Sequence, residues 1–385
     1  MNKWHRPLCH SLVLHLFMAA IGFNIKTTYY LQFKTIRMPE ETIQHINFDE
    51  LNRKAISPPL IQHIYTADPS AHEFNGKLYI YPSHDIDAGD AFDDLGSHFA
   101  MEDYHVVSMD SPTSEAKDNG VALHVNDVPW AEKQMWAPDA AEKNGKYYLF
   151  FPAKDYDGIF RIGVAISDSP TGPFKAEPHA IKKSFSIDPA VFKDDDESYY
   201  MYFGGMWGGQ LQRWQTGKFN AEQPESPFAH LPKDDEPALC AKVAKLTDDL
   251  LEFAEYAKDV VILDENNKPL SQGDIERRFF EGSWMHKYNG KYYFSYSTGD
   301  THFICYAVAD NPYGPFKYAG RILNPVVGWT THHSIIEFNN EWYLFYHDSS
   351  LSKGITHLRS IKVTKIEYDK NGLIKTINPY NDLKV

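Results

Sequence analysis

The sequence predicts an all-β chain folded as a five-bladed β-propeller, and three observations carry that reading. One hairpin signature recurs five times. A second turn motif recurs inside two of those units. Aromatic residues reach 15% of the 385 residues, with 24 Tyr, 24 Phe and 8 Trp, a content suited to strands and to sites that stack flat apolar ligand faces.

The hairpin first reads Phe74-Asn75-Gly76-Lys77-Leu78-Tyr79 and returns as Lys143-Asn144-Gly145-Lys146-Tyr147-Tyr148. It recurs around Glu197-Ser198-Tyr199-Tyr200, Asn289-Gly290-Lys291-Tyr292-Tyr293 and Asn339-Asn340-Glu341-Trp342-Tyr343. Asn-Gly between alternating apolar runs marks a two-residue hairpin, because a type I′ turn needs positive φ at both central residues. The final tyrosines stand 69, 52, 93 and 50 residues apart. A unit of ~50 residues in an all-β chain matches a four-stranded propeller blade. The second motif, Asp168-Ser169-Pro170-Thr171-Gly172-Pro173-Phe174, returns as Asp310-Asn311-Pro312-Tyr313-Gly314-Pro315-Phe316. It falls where a third strand should end in a Gly/Pro turn. A β-sandwich with coincidental hairpins is the weaker alternative.

Outside the blades the reading is coarser. Lys3, His5 and Arg6 precede an apolar run, Leu12 to Phe23, which resembles a secretory signal over residues 1–23 with cleavage after about Gly22. That predicts a periplasmic or secreted protein; the competing reading is a cytoplasmic chain whose translation starts near Met38. The run is too short to span a membrane. Residues 24–56 lack periodicity and are expected to be a leader or linker before a single catalytic domain at 57–385. The 93-residue interval is expected to hold a decorating insertion at about 218–278, with a short amphipathic helix within Ala241 to Val260.

Composition narrows the partners. A formal charge of −14 opposes binding to nucleic acid phosphates or an anionic membrane surface. Three cysteines (Cys9, Cys240, Cys305) make no disulfide framework and no CxxC zinc pair.

The residue 9 to 12 positions before each hairpin tyrosine is in turn Asp68, Asp139, Asp188, Glu281 and His332. The first strand of each blade lines the central channel, so these positions converge on one axis. Carboxylates crowded there repel one another and lose hydration, which raises their pKa values, an arrangement found chiefly where chemistry needs it. Two carboxyl groups across a pocket are the equipment for glycosidic cleavage. In the inverting version one donates a proton to the leaving oxygen and the other activates water, at roughly 6.5–9.5 Å separation.

At these residues the chain resembles glycoside hydrolase family 43. The resemblance rests on Ala67-Asp68-Pro69, Trp136-Ala137-Pro138-Asp139, Ile187-Asp188-Pro189 followed by Asp194-Asp195-Asp196, and Phe280-Glu281-Gly282. It covers about Ser57 to Lys375 and is nearest the β-xylosidase and α-L-arabinofuranosidase members. It implies a five-bladed propeller that removes terminal β-D-xylosyl or α-L-arabinofuranosyl residues from plant-type oligosaccharides or polysaccharides with inversion. By motif, Asp68 is implied as general base, Glu281 as general acid and Asp188 as the residue that orients Glu281 and tunes its pKa. Trp136 is implied as a sugar-pocket wall and Arg359 as a sugar-site arginine beside the carboxylates. Trp207, between glycine pairs, is read as a second sugar-facing ring, with a packed core Trp the plainer role. Asp139 is expected to serve structure more than chemistry. His332, rather than His333, matches a histidine near the channel axis that in some members helps hold calcium or another divalent ion, often through water. No organic cofactor is implied. Asp85-Ile86-Asp87-Ala88-Gly89-Asp90 fails the EF-hand pattern and is read as an acidic loop near the pocket rim carrying surface charge.

Three other classes compete. An endo-acting arabinanase of the same family would need an open channel. A retaining fructan-acting propeller needs an Asn-Asp-Pro-Asn-like start, where this chain has Thr66-Ala67-Asp68-Pro69-Ser70. A non-catalytic carbohydrate-binding propeller has no reason to keep an acid facing a base.

Overall fold

Alternating apolar residues joined by tight turns, three of them Asn-Gly, build five sheets that are antiparallel except for one short strand. The computed structural model describes residues 46–381 apart from residue 330. The expected signal run and the first part of the leader lie outside the described residues. Blade I comprises β1 (Tyr65–Phe74), β2 (Lys77–Asp85), β3 (Asp103–Met109) and β4 (Lys117–His124), in that spatial order. Blade II holds β5 (Ala131–Lys133), β6 (Asp139–Lys143), β7 (Lys146–Asp155), β8 (Phe160–Ser167) and β9 (Lys175–Ala176), with β5 and β6 both pairing β7. Blade III is β10 (Ala190–Lys193), β11 (Tyr199–Phe203), β12 (Lys242–Lys245) and β13 (Lys258–Asp259). In blade IV the short β14 (Ile262–Leu263) lies parallel to β18 (Phe316–Leu323), outside β17 (Ile304–Ala309), β16 (Lys291–Ser297) and β15 (Glu281–Tyr288). Blade V has β19 (His333–Phe338), β20 (Glu341–Asp348) and β21 (Ser360–Ile366). The five hairpin signatures join β1–β2, β6–β7, β10–β11, β15–β16 and β19–β20. The chain is a five-bladed β-propeller.

Rings pack between neighbouring sheets. Tyr81, Tyr104, Tyr202, Tyr296, Tyr306 and Tyr346 are fully buried, and their hydroxyls need partners once desolvated. The repeated turn motif supplies two. Tyr81 of blade I donates to the carbonyl of Pro170 in blade II at 2.7 Å, and Tyr202 of blade III to that of Pro312 in blade IV at 2.6 Å. The second repeat therefore pins adjacent blades together at equivalent places.

Two expectations need correction. No helix forms within Ala241 to Val260; Lys242–Lys245 is β12, paired with β11, and Lys258–Asp259 is β13. The apolar spacing that suggested a helix is used by Leu246 and Leu250 to reach a core cluster with Met201 and Phe203. Three short strands within the segment expected as decoration thus supply the outer half of blade III and one strand of blade IV. The end of the expected linker is also structured. Helix α1 (Phe48–Lys54) is capped by Asn47, whose Oδ1 accepts the Glu50 N–H at 3.1 Å. Leu51 packs with Val327 and Tyr380.

The segment leading into blade I closes the ring. The Leu60 N–H donates to the Ile361 carbonyl at 2.9 Å, and the Val363 N–H to Ser57 Oγ at 3.2 Å. Residues 57–60 thus lie along the outer side of β21, and β1 itself packs against β19 and β20. Among the described residues no helix is long and apolar enough to cross a membrane.

Candidate active site

Three of the four carboxylates foreseen on the axis, Asp68, Asp188 and Glu281, lie at backbone irregularities, whereas Asp139 starts a regular β6–β7 pairing. In β1 the pairing with β2 slips between Ala67 and Ser70, and Asp68 sits in that bulge at φ 48°. In β15 the same slip occurs between Glu281 and Trp284, and Gly282 takes φ 70°. Asp188, just before β10, has φ 56°. Bulges re-aim a side chain that the pleat would otherwise turn away. A non-glycine residue held in the left-handed region costs about 1–3 kcal/mol. The fold thus carries strain at two of its three innermost acids.

Asp68 is buried and fully engaged. Its Oδ1 accepts from Arg359 Nη1 at 2.9 Å, its Oδ2 from Ser83 Oγ at 2.8 Å, and its N–H donates to His347 Nδ1 at 2.9 Å. Burial raises its pKa above the ordinary 3.8, and the Arg359 charge and the Ser83 hydrogen bond pull in the opposite direction. Asp188 Oδ2 accepts the Gly282 N–H at 2.9 Å, so this acid grips the residue beside Glu281. Burial, then the charge of Asp68, pushes Asp188 well above the usual carboxylate range. Glu281 is pushed well above it too, by burial first, then by Asp188 and Asp68. Its Oε1 is buried with no hydrogen-bond partner among the described residues. Asp188 thus has a backbone donor on Oδ2, whereas Glu281 Oε1 has none among the described residues.

Arg359, just before β21, is buried to 1% exposure and held as a fork. Its Nε and Nη2 donate to Asp85 Oδ2 and Oδ1 at 2.8 and 2.7 Å, and its own N–H donates to Asp85 Oδ2 at 2.8 Å. Burial opposes its charge, and Asp68 and Asp85 outweigh burial. Asp85 is therefore not surface charge on a rim loop, as the sequence suggested. It ends β2, is itself buried, and is the anchor of the arginine. Period-2 alternation carries the missed signal: Ser83 and Asp85 share one face of β2, and Ser83 already reaches Asp68.

Asp139 is engaged by a different set of partners. It takes hydrogen bonds from Ser70 Oγ and the Val191 N–H, and lies 2.6 Å from His72 Nε2. It ties the first strands of blades I, II and III. His332, buried beside β19, has Nδ1 3.7 Å from Asp68 Oδ1, and burial followed by the Arg359 charge drives its pKa down to about 3. It is a neutral imidazole. His333 instead meets Ser295 Oγ at 2.6 Å, away from the acids.

The two tryptophans foreseen for the site sit in aromatic clusters. Trp136 Nε1 donates to the Phe99 carbonyl at 2.8 Å, and the ring packs with Phe99, Phe160 and Ile187. A Cβ on Gly96 would lie 2.7 Å from this ring. Trp207 opens a 3-10 turn at φ 53° and stacks on Trp329, centroids 5.6 Å apart and planes within 16°. The Arg359 guanidinium lies 4.9 Å from the Phe99 ring centroid. Trp329, Phe99 and Asp85, which sequence reasoning did not single out for the site, contact the residues it did: Trp207, Trp136 and Arg359.

The arrangement combines an acid held by a guanidinium with a second carboxyl whose pKa burial and neighbouring acids push well above the ordinary value. Comparison with known proteins agrees in kind. The model for "Glycosyl hydrolases family 43" matches residues 59–223 and 241–374. The chain is 62% identical over 328 residues to a xylosidase/arabinosidase of Humicola insolens, covering 83% of this chain and 99% of that one. It is 57% identical over 315 residues to a β-xylosidase of Xylanibacter ruminicola, covering 81% and 97%. Among solved structures it is similar to a family 43 β-xylosidase/α-arabinofuranosidase from a compost microbial metagenome, complexed with xylotriose in a calcium-free form. That match has TM-score 0.82 and 63% identity, covering 86% of this chain and 99% of the other.

Proposed function

The chain belongs to glycosyl hydrolases family 43, and on that premise we propose that it is an inverting, exo-acting β-D-xylosidase/α-L-arabinofuranosidase. Asp68 is the general base. Its carboxylate takes a proton from a water molecule as the water oxygen bonds to the anomeric carbon. Glu281 is the general acid and gives its proton to the departing glycosidic oxygen as the C–O bond breaks. Asp188 positions Glu281 through the Gly282 N–H and adds the negative charge that keeps the acid protonated near neutral pH. Arg359 keeps Asp68 oriented and favours its ionised form. Trp136 and Trp207 offer ring faces to the sugar C–H surface.

The observation that carries this reading is the contrast between the two acids: Asp68 has a donor on each oxygen, whereas Glu281 keeps a buried, unpartnered Oε1. The substrate class follows from the similar enzymes, whose structures hold xylotriose or xylose. A binding-only propeller or an endo-arabinanase is not favoured by these relatives.

A divalent cation, calcium first, belongs in the same proposal, with His332 as its protein ligand. The neutral ring can offer a lone pair on the axis. Calcium prefers six to eight oxygens, so water would complete the shell. Bound there, the ion would add positive charge beside Asp68. Export to the periplasm or medium is likewise proposed, on the apolar run Leu12 to Phe23.

Hydrolysis of aryl β-D-xyloside and aryl α-L-arabinofuranoside, with and without chelator, tests substrate and ion together. Proton NMR of the first-formed sugar tests the mechanism. A product that keeps the substrate's anomeric configuration sinks the inverting assignment.

A further inference from the structure

A second constellation lies in blade I, on the face of β2 turned away from the sugar site. Ser83 of β2 pairs with Tyr104 of β3, which sets His84 opposite Asp103, and His105 follows two residues along the same face of β3. His84, Asp103 and His105 each offer one ligand atom, and these atoms lie within 4.8 Å of one another. His84 Nδ1 is 2.6 Å from Asp103 Oδ1, and the rings of His84 and His105 are 4.6 Å apart. Their side chains keep 18%, 16% and 11% exposure, in the order His84, Asp103, His105, so an ion could enter from solvent.

Two features separate this from a chance surface group. First, the β3–β4 pairing is irregular on both sides of His105, between Tyr104 and His105 and between His105 and Val107. Such bulges re-aim a side chain at a functional position. Second, His105 is oriented from behind: its Nδ1 lies 2.9 Å from Asp118 Oδ1, and Asp118 Oδ2 lies 2.9 Å from His63 Nε2. A carboxylate that accepts one ring N–H fixes the tautomer and leaves the other nitrogen with its lone pair, the outer-shell arrangement of metal-binding histidines.

We propose that His84, Asp103 and His105 form a binding site for a divalent first-row transition ion, Zn2+ type, separate from the channel axis. Two imidazoles and one carboxylate suit zinc, with water as the fourth ligand, and are poor in oxygens for calcium. The ion would clamp β2 to β3 one residue from Asp85, on the side of the strand opposite Arg359.

The test uses chelator-stripped full-length protein titrated with Zn2+ alone against a colorimetric competitor, with thermal unfolding followed in parallel. Wild type and His332→Gln are expected to bind one tight equivalent and to melt at higher temperature with zinc. His84→Gln/His105→Gln should lose both effects. The single variants Asp103→Asn and His105→Gln, which perturb the strands less, should each bind more weakly by tenfold or more. Asp118→Asn should weaken binding about 10–100-fold without changing stoichiometry. Zinc binding unchanged in these blade I variants, or lost only in His332→Gln, overturns the proposal.

Discussion

Removing Asp85 tests how the site is held together. Residue 359 gives Asp85 three hydrogen bonds, at 2.8, 2.8 and 2.7 Å, and gives Asp68 one at 2.9 Å. Breaking a buried ion pair by deleting one partner costs about 3–5 kcal/mol. Asp85→Ala leaves the guanidinium one carboxylate, so the lower end, about 3 kcal/mol, is expected. Arg359→Met strands two buried carboxylates and should approach about 5 kcal/mol. The double variant removes the stranded Asp85 charge and should be more stable than Arg359→Met alone. Urea unfolding followed by tryptophan fluorescence gives all four corners of the cycle. Activity adds a second readout. A guanidinium freed to drift by about 1 Å should cost Asp85→Ala about 10²-fold in kcat/KM. Arg359 lowers the pKa of Asp68, and the base works only when ionised. Its loss must therefore move the acid limb of the pH–kcat/KM profile to higher pH. If the two single-variant costs simply add, or the acid limb stays in place, Asp85 does not anchor the base through Arg359.

Three further outcomes are expected. Glu281→Gln should lose about 10²–10⁴-fold in kcat on substrates with poor leaving groups, while its Tm rises. Because the folded pKa of Glu281 lies well above 4.5, the wild-type carboxyl favours the fold below its unfolded pKa and loses that contribution as pH rises through the folded value. The Tm gap should thus open at neutral pH and close near pH 4. Gly96→Ala places a Cβ 2.7 Å from the Trp136 ring at φ 79°, so about 1–3 kcal/mol of stability should go, with KM rising more than kcat falls. Asp139→Ala should cost about 1–3 kcal/mol by leaving buried donors unmet, yet the folded fraction should turn over near the wild-type rate.

The contrast between what the sequence disclosed and what it hid has a physical basis. Asn75-Gly76 and its repeats are local signals whose dihedral demands survive any tertiary context, so the blades were readable. Asp68, Asp188 and Glu281 were readable because each precedes its hairpin at a similar distance. Asp85 was hidden by its neighbours: Asp87, Gly89 and Asp90 are exposed, and they lent a loop character to a residue that ends a buried strand. Lys242–Lys245 was misread for a different reason. Lys-Val-Ala-Lys has little β-propensity of its own, and pairing with Tyr200–Phe203, some forty residues earlier, decides its state. The helix Phe48–Lys54 did carry a signal, Asn47 three residues before Glu50, a capping pair that a periodicity search passes over.

The seam beside β21 bears on how the molecule is made. Leu60 and Ile361 meet across about 300 residues of chain, which a ribosome emitting ~5–20 residues per second takes roughly 15–60 s to deliver. For that time the first strands have emerged and their clasp has not. Apolar side chains such as Leu51, which Val327 ahead of the last blade and Tyr380 beyond it cover, meanwhile face water. The nascent chain is thus an open arc with a sticky leading edge, and the step that ends its exposure to aggregation is the arrival of residues 361–380.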